Sequence, residues 1–364
     1  MSLRSVETRS LASWRAMSHP VTELTQTLGG APARFPGGLQ EVAPRTWAWI
    51  QPDGDLGESN AGLVIGDGAS LLVDTLWDER LTRRMLDAMA AQLGRAPLRH
   101  CFNTHADGDH WWGNAVLPPG AEVLATAACE RAMRAESPPR MLAALTGTAG
   151  ALRRAPGQVG AVARRAHAQF SPFDFGGVTR RYPDRTVSDR EEIDVGGRTV
   201  RIHQVGPAHT ADDSLVHMPD VGVVFAADML FVGIAPIMWH GPVDNWIAAL
   251  DLMLSLDAEV FVPGHGPVCG RAQVEEMKAY WRWLDAAVRE QRTAGRSASE
   301  AAKALVRSPE HARWASWLAP ERILVSVATM YRNLDGGKPE VAPPVRARLL
   351  VQTAMLGLEL AAER

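Results

Sequence analysis

The chain has few cysteines, little net charge and no long apolar run. Its three cysteines stand far apart without a Cys-x-x-Cys pair, which argues against a disulfide framework and suits buried free thiols in a reducing compartment. No segment approaches the length of a membrane span, and the first residues lack the apolar core of a signal peptide. A net charge of -3 leaves no basic excess for nucleic acid. We therefore expect a cytoplasmic protein that acts on neither membranes nor nucleic acids.

What the sequence does contain is a long series of apolar segments separated by Gly, Pro and Asp turns. We divide the chain into an N-terminal arm (1–40), a central domain (41–270) and a helical C-terminal extension (271–364). Within the central domain, residues 128–168 are rich in Ala and Arg and predict a helical insertion.

The predicted strands of the central domain are short apolar runs that end at turn residues. They are expected at 46–50, 61–65, 70–74, 98–102, 121–125, 178–182, 199–204, 215–218, 221–225 and 260–262. Gly196-Gly197 predicts a hairpin turn. In the arm, Leu11, Trp14 and Met17 have helical spacing and indicate at most one short helix.

The highest density of titratable side chains follows the predicted strand 98–102. His105, Asp107, Asp109 and His110 fall within six positions. Neighbouring carboxylates repel each other, so this cluster is unfavourable alone and favourable with one or two divalent cations. The carboxyl end of a strand is also where α/β folds place their chemistry. The sequence therefore predicts a metal site in this loop.

The same stretch is similar to the His-x-His-x-Asp-His signature of the metallo-β-lactamase superfamily, with Asp107 in place of the second histidine. Four further marks of that family stand at predicted strand ends in the expected order. They are Asp74, His209, Asp228 and His265. The resemblance covers the central domain and implies an α+β fold, the four-layer αββα sandwich of the family, here followed by an all-helical extension.

The resemblance also implies a dinuclear metal site. The ligands that it assigns to the first position are His105, Asp107 and His209. The ligands that it assigns to the second position are Asp109, His110 and His265, with Asp228 bridging the two. It gives Asp109 the further role of orienting the nucleophile. Asp74, by contrast, is expected to be structural and to organise loop N–H groups near the site.

From this resemblance we expect a metal-dependent hydrolase in which a metal-bridging hydroxide attacks an ester, thioester, lactone or amide of a small molecule. Two alternatives stay open, a di-iron oxidoreductase of the same fold and a degenerate protein whose first metal site is weakened. Asp107 is harder and more anionic than imidazole, so it favours iron or manganese over zinc.

Other expectations concern substrates and partners. Trp112 and His240 are candidates for substrate contact. The arginine-rich insertion 128–168 is interpreted first as solvated helix faces, and its functional alternative is a lid or a dock for an acidic substrate or acidic carrier domain. The apolar stripes at 274–288 and 349–358 must be buried, so we expect them to pack on the sandwich and partly to form a homodimer contact.

Overall fold

The computed structural model describes residues 22–338 and 341–363. The strands are β1 Thr22–Gln26, β2 Pro32–Ala43, β3 Thr46–Ile50, β4 Ala61–Ile65, β5 Ser70–Val73, β6 Leu98–Phe102, β7 Glu122–Thr126, β8 Arg185–Val187, β9 Arg190–Val195, β10 Arg198–Gln204, β11 Ser214–Met218, β12 Val223–Phe231 and β13 Val260–His265. The α-helices are α1 Glu79–Ala88, α2 Ala90–Arg95, α3 Ala127–Ala135, α4 Pro139–Leu152, α5 Gly157–Phe170, α6 Val243–Ser255, α7 Arg271–Thr293, α8 Ala298–Leu305, α9 Ile323–Leu334 and α10 Pro343–Ala362.

Strands β1 to β8 form the first sheet in chain order, antiparallel up to β5 and parallel from β5 to β8. Residues 22–40 belong to its edge, so the boundary predicted at residue 40 falls inside β2. Pro36-Gly37-Gly38 has the composition of a turn but lies within β2. A Cβ at Gly37 would lie 2.4 Å from Ile50 O, so this glycine allows close strand packing instead. The helix suggested by Leu11, Trp14 and Met17 lies outside the described residues.

The second sheet has the order β13-β12-β11-β10-β9, with only β12 and β13 parallel. The predicted hairpin turn between β9 and β10 is confirmed. Gly196 and Gly197 have φ values of +54° and +80°, which glycine adopts without strain.

The two sheets face each other across one apolar core. Alternate residues of the second sheet serve two cores, because successive side chains of a strand point to opposite faces. Val216 and Phe225 pack against the first sheet, whereas Leu215 and Val224 pack against helices. Helix α1 covers the first sheet, and α6 and α7 cover the second. The predicted four-layer αββα sandwich with a helical C-terminal region is confirmed.

The C-terminal helices share the outer core of the second sheet. Val274, Met277 and Trp281 of α7 are fully buried there, as are Leu349 and Leu356 of α10. The stripe of α7 is therefore covered within one chain, whereas Leu350, Met355 and Leu358 of α10 are only half-buried, and the homodimer contact stays a prediction. None of the helices among the described residues combines the length and apolar character that crossing a membrane requires.

Residues 128–168 are helical as predicted, in α3, α4 and α5. The strand predicted at 178–182 is wrong, since β8 begins only at Arg185. The segment before β8 is held in place by hydrogen bonds of its arginine side chains rather than by strand pairing. Arg180 Nη2 donates to Glu136 O at 3.0 Å, and Arg181 Nη2 donates to Ala121 O at 2.6 Å.

Candidate metal centre

The parallel strands of both sheets end at one edge of the sandwich, where the predicted ligands meet. Three groups of donor atoms there each lie within 4.8 Å of one another. The groups are His105 with Asp107 and His209, His105 with His110 and Asp228, and Asp109 with His110 and His265. The structure thus brings together every residue to which the sequence assigned a metal-ligand role.

Close approach of β12 and β13 requires a glycine next to the second position. A Cβ at Gly264 would lie 1.9 Å from Asp228 Oδ1, which is too close for any side chain. The absence of a Cβ lets the chain of β13 pass beside this carboxylate. His265, the next residue, is thereby brought to 3.5 Å between its Nε2 and Asp228 Oδ2.

Two of the imidazoles are oriented by backbone carbonyls. His209 Nδ1 lies 2.6 Å from Ile237 O, and His265 Nδ1 lies 3.0 Å from Gly54 O. Because a carbonyl oxygen can only accept, Nδ1 must carry the hydrogen in both rings. Each Nε2 then faces the centre, where the loss of its proton would expose a lone pair suited to a metal.

The other two imidazoles are oriented by Asp74. His110 Nδ1 lies 2.9 Å from Asp74 Oδ2, which also accepts the hydroxyl hydrogen of Thr104 at 2.7 Å. The Thr104 oxygen lies 3.1 Å from His105 Nδ1 and can accept from it, because its own hydrogen is engaged by Asp74. Asp74 Oδ1 accepts the Thr104 backbone N–H at 2.8 Å. Asp74 therefore lies behind the centre, and the Nε2 atoms of His105 and His110 face inward.

The inward-facing atoms fit a divalent cation. His105 Nε2, His110 Nε2 and Asp228 Oδ1 are buried without a hydrogen-bond partner among the described residues. His110 Nε2 and Asp228 Oδ1 are 3.1 Å apart but lack hydrogen-bond geometry. Buried polar atoms without partners are costly, and imidazole nitrogens with carboxylate oxygens are the donors that zinc, iron and manganese accept.

Protons compete for the second position. Burial lowers the pKa of His265, but the charge of Asp228 and the hydrogen bond with Asp109 outweigh it and raise this pKa to about 9. The pKa of His110 is also raised despite burial, by the charges of Asp228, Asp109 and Asp74. Both rings therefore hold a proton that a metal has to displace.

The first position differs in its proton content. Burial and the nearby His110 lower the pKa of His105. Burial also lowers the pKa of His209, but Asp107 and Asp228 raise it to about 9. One proton, rather than two, thus has to leave this position when a metal binds.

Asp107 has a partner that the sequence did not reveal. Its Oδ2 lies 3.2 Å from His209 Nε2, and its Oδ1 lies 3.3 Å from Arg346 Nη2 of helix α10. The guanidinium carbon of Arg346 lies 4.2 Å from the ring centroid of Trp239. Burial raises the pKa of Asp107, but Arg346 and His209 outweigh burial and hold it well below its ordinary range. No local sequence pattern marks Arg346 as part of the centre.

Glu136 is a second residue that sequence reasoning missed. Its carboxylate accepts the N–H of Gly108 at 3.1 Å and the indole N–H groups of Trp111 and Trp112 at 3.1 and 2.9 Å. Burial and the charge of Asp107 raise the pKa of Glu136 to about 8. Trp112 is only 2% exposed, so it supports the ligand loop from behind and presents little surface to a substrate.

His240 lies beside a predicted ligand. Its backbone N–H donates to His209 O at 3.2 Å, and the N–H of Trp239 donates to the same carbonyl at 2.9 Å. The His240 ring is half-buried, with Nδ1 3.0 Å from Gly241 O. Its contact with substrate stays a prediction.

A family model and several known proteins are similar to this chain. The model described as Metallo-beta-lactamase superfamily matches residues 54–126 and 146–265, together just over half of the chain. The 2,4-dinitroanisole O-demethylase subunit alpha of Nocardioides sp. is 23% identical over 224 residues, 60% of this chain and 56% of that protein. The linear primary-alkylsulfatase of Pseudomonas sp. is 31% identical over 103 residues, 26% of this chain and 19% of that protein.

The fold is also similar to that of a solved enzyme. The stereoselective inverting sec-alkylsulfatase Pisa1 from Pseudomonas sp. superposes with a TM-score of 0.60 at 18% identity, over 85% of this chain and 53% of that chain. This likeness concerns the fold alone. The chain spans just over half the length of the demethylase subunit and of Pisa1, and about a fifth of the linear primary-alkylsulfatase.

Proposed function

The chain belongs to the metallo-β-lactamase superfamily, and we propose that it is a dinuclear metal-dependent hydrolase of ester-type bonds in small molecules. The observation that carries the proposal is the convergence of four imidazole Nε2 atoms and three carboxylates on one buried centre. Each imidazole is oriented through its Nδ1 atom, an arrangement typical of metal-ligating histidines.

The proposed reaction divides the work between cations and side chains. When bound, divalent metal ions lower the pKa of a coordinated water and polarise the bond to be cleaved. Asp109 orients the attacking water and carries its proton to the leaving group. Its Oδ2 lies 3.5 Å from His265 Nε2, and its backbone carbonyl accepts the Ser59 hydroxyl at 2.5 Å, which fixes the loop.

The names of two relatives extend the proposed class of substrates. The names alkylsulfatase and O-demethylase both denote cleavage at an oxygen that bears an alkyl group. Sulfate esters and aryl ethers therefore join carboxylic esters, thioesters, lactones and amides as candidate substrates. Which of these the chain accepts depends on the rim of the site.

A second candidate is a hydrolase that uses one metal ion at the second position. It is favoured by the ion pair of Asp107 with Arg346, which engages one oxygen of a first-position ligand. In this candidate the first position is vestigial and Asp107 has only a structural role.

The test is to quantify metals in the purified chain and then to assay a panel of substrates. The panel contains the candidate substrates, phosphodiesters and β-lactams. We expect hydrolysis that disappears on chelation and returns when metal is added back. Asp109→Asn should inactivate the enzyme, while the control Asp87→Asn makes the same change at an exposed position of α1 and should be active. Hydrolysis that persists after complete metal removal would contradict the proposal.

A further inference from the structure

We propose that Arg346 compensates the charge that Asp107 brings to the first metal position, so that the C-terminal helix α10 supplies part of the electrostatics of the centre. The inference rests on the proposed function, because it takes the first position to bind a cation. It makes Arg346 a positioning residue that acts on the metal through Asp107.

The geometry divides the two oxygens of Asp107 between two partners. Oδ2 faces His209 Nε2 at 3.2 Å, within the group of donors that forms the first position. Oδ1 faces Arg346 Nη2 at 3.3 Å, on the other side of the carboxylate. One oxygen of Asp107 is thus left to face the donor group, while the guanidinium lies against the other oxygen and acts on a bound cation through its charge.

The charges of the first-position ligands explain why a positively charged side chain lies beside Asp107. An all-histidine first position is neutral, whereas His105, Asp107 and His209 with neutral imidazoles carry one negative charge. Arginine stays protonated in proteins, so Arg346 returns the sum to zero. Among the described residues, Arg346 is the only Lys or Arg paired with a carboxylate of the centre.

The guanidinium is held in place independently of Asp107. It lies 4.2 Å from the centroid of the Trp239 ring, and Trp239 is only 8% exposed. Helix α10 itself is anchored by buried Leu349 and Leu356 and by the ion pair of Glu359 with Lys303 at 2.7 Å. Arg346 therefore belongs to a packed helix, and its guanidinium is positioned by Trp239 as well as by Asp107.

The first experiment measures metal affinity in variants of Arg346. The quantity measured is the dissociation constant of Zn²⁺ at the first position, determined by competition with a chelator. The first position is identified as the binding step that is lost in Asp107→Ala. Arg346→Met removes a positive charge near a dication, so this step should tighten at least about tenfold. Arg346→Lys keeps the charge and should stay near the wild type.

The matched control is Arg348→Met. Arg348 is exposed two positions further along the same helix, and the change in net charge is the same. Its affinity should equal that of the wild type, because the effect depends on position rather than on total charge.

The second experiment exchanges the ligand. Asp107→His alone leaves Arg346 as an uncompensated cation, so the first position should bind Zn²⁺ about tenfold more weakly than in the double variant Asp107→His with Arg346→Met. This comparison does not depend on any substrate.

Three results would overturn the inference. Loss of one metal equivalent in Arg346→Met would mean that Arg346 only holds Asp107 in place. Equal affinity in the wild type and Arg346→Met would mean that the pair does not act on the metal. A wild-type chain that binds no Zn²⁺ would overturn the proposed function as well. This result differs from the other two because the wild type then shows no binding step that Asp107→Ala could abolish.

Discussion

The two proposed metal positions draw their supporting groups from different parts of the chain. The second position, with Asp109, His110 and His265, is supported from within the sandwich by Asp74 and by the carbonyl of Gly54. The first position combines donors of two sandwich loops with Arg346 of the last helix, which is 239 residues from Asp107 in sequence.

This difference separates a position supported within the sandwich from one that also needs the C-terminal helices. Asp74 and the loop that it supports follow two neighbouring parallel strands, β5 and β6, so sheet formation alone brings them together. The contact between Asp107 and Arg346 needs the C-terminal helices packed on the second sheet as well. The first position should therefore be the more sensitive of the two to changes outside the sandwich.

Lowering the pH should change the metal affinities of the two positions most strongly and by different amounts. A histidine with a raised pKa is protonated below that pKa in the metal-free chain, and it must lose the proton to bind metal. His110 and His265 have raised pKa values at the second position, but only His209 does at the first. As the pH falls, the second position should therefore lose metal affinity more steeply than the first, because two protons rather than one compete with its metal. Chelator competition at pH 6, 7 and 8 measures both slopes, and equal slopes would remove the distinction.

Catalysis should depend on the second position through Asp109. In Asp109→Asn the side chain keeps its shape and loses its charge and basicity, so kcat should fall at least about a hundredfold. The rate should be measured at saturating metal, where metal content should change little. An unchanged kcat on a verified substrate would remove Asp109 from the mechanism.

Support from behind the second position can be tested at Asp74. Asp74 accepts through both oxygens, from the Thr104 backbone N–H at Oδ1 and from His110 Nδ1 and the Thr104 hydroxyl at Oδ2, whereas Asn has only one accepting oxygen and no charge. Asp74→Asn should therefore weaken metal binding at the second position about tenfold to a hundredfold. The effect on the first position, transmitted only through Thr104 and His105, should be smaller. A larger effect on the first position would contradict this account of the network.

The sequence predicted the metal ligands of both positions but not Arg346 and Glu136, which support them, for a physical reason. Metal ligands at strand ends have local patterns, and the apolar runs that end at His265 or before His105 are visible without a structure. Arg346 and Glu136 have no such pattern, because each reaches the centre through tertiary packing of a helix or its flank. The same limit applies to β2, where Gly37 serves close packing rather than a turn.

The smallest expected effect concerns metal preference at the first position. Asp107→His replaces a hard carboxylate by imidazole, so the ratio of zinc to manganese affinity should rise by at least about tenfold. Competition between the two metals measures this ratio. No change in the ratio would mean that the side chain at position 107 does not reach the metal.

Counting the metals in the wild type and in Asp107→Ala tests the dinuclear centre most directly. Both proteins are purified without added zinc, and iron, manganese and zinc are quantified per chain by mass spectrometry. We predict two metal ions per wild-type chain, at least one of them iron or manganese, and one ion per chain in Asp107→Ala. One ion per chain in both proteins, with equal activity, would contradict the account and would mean that the second position works alone.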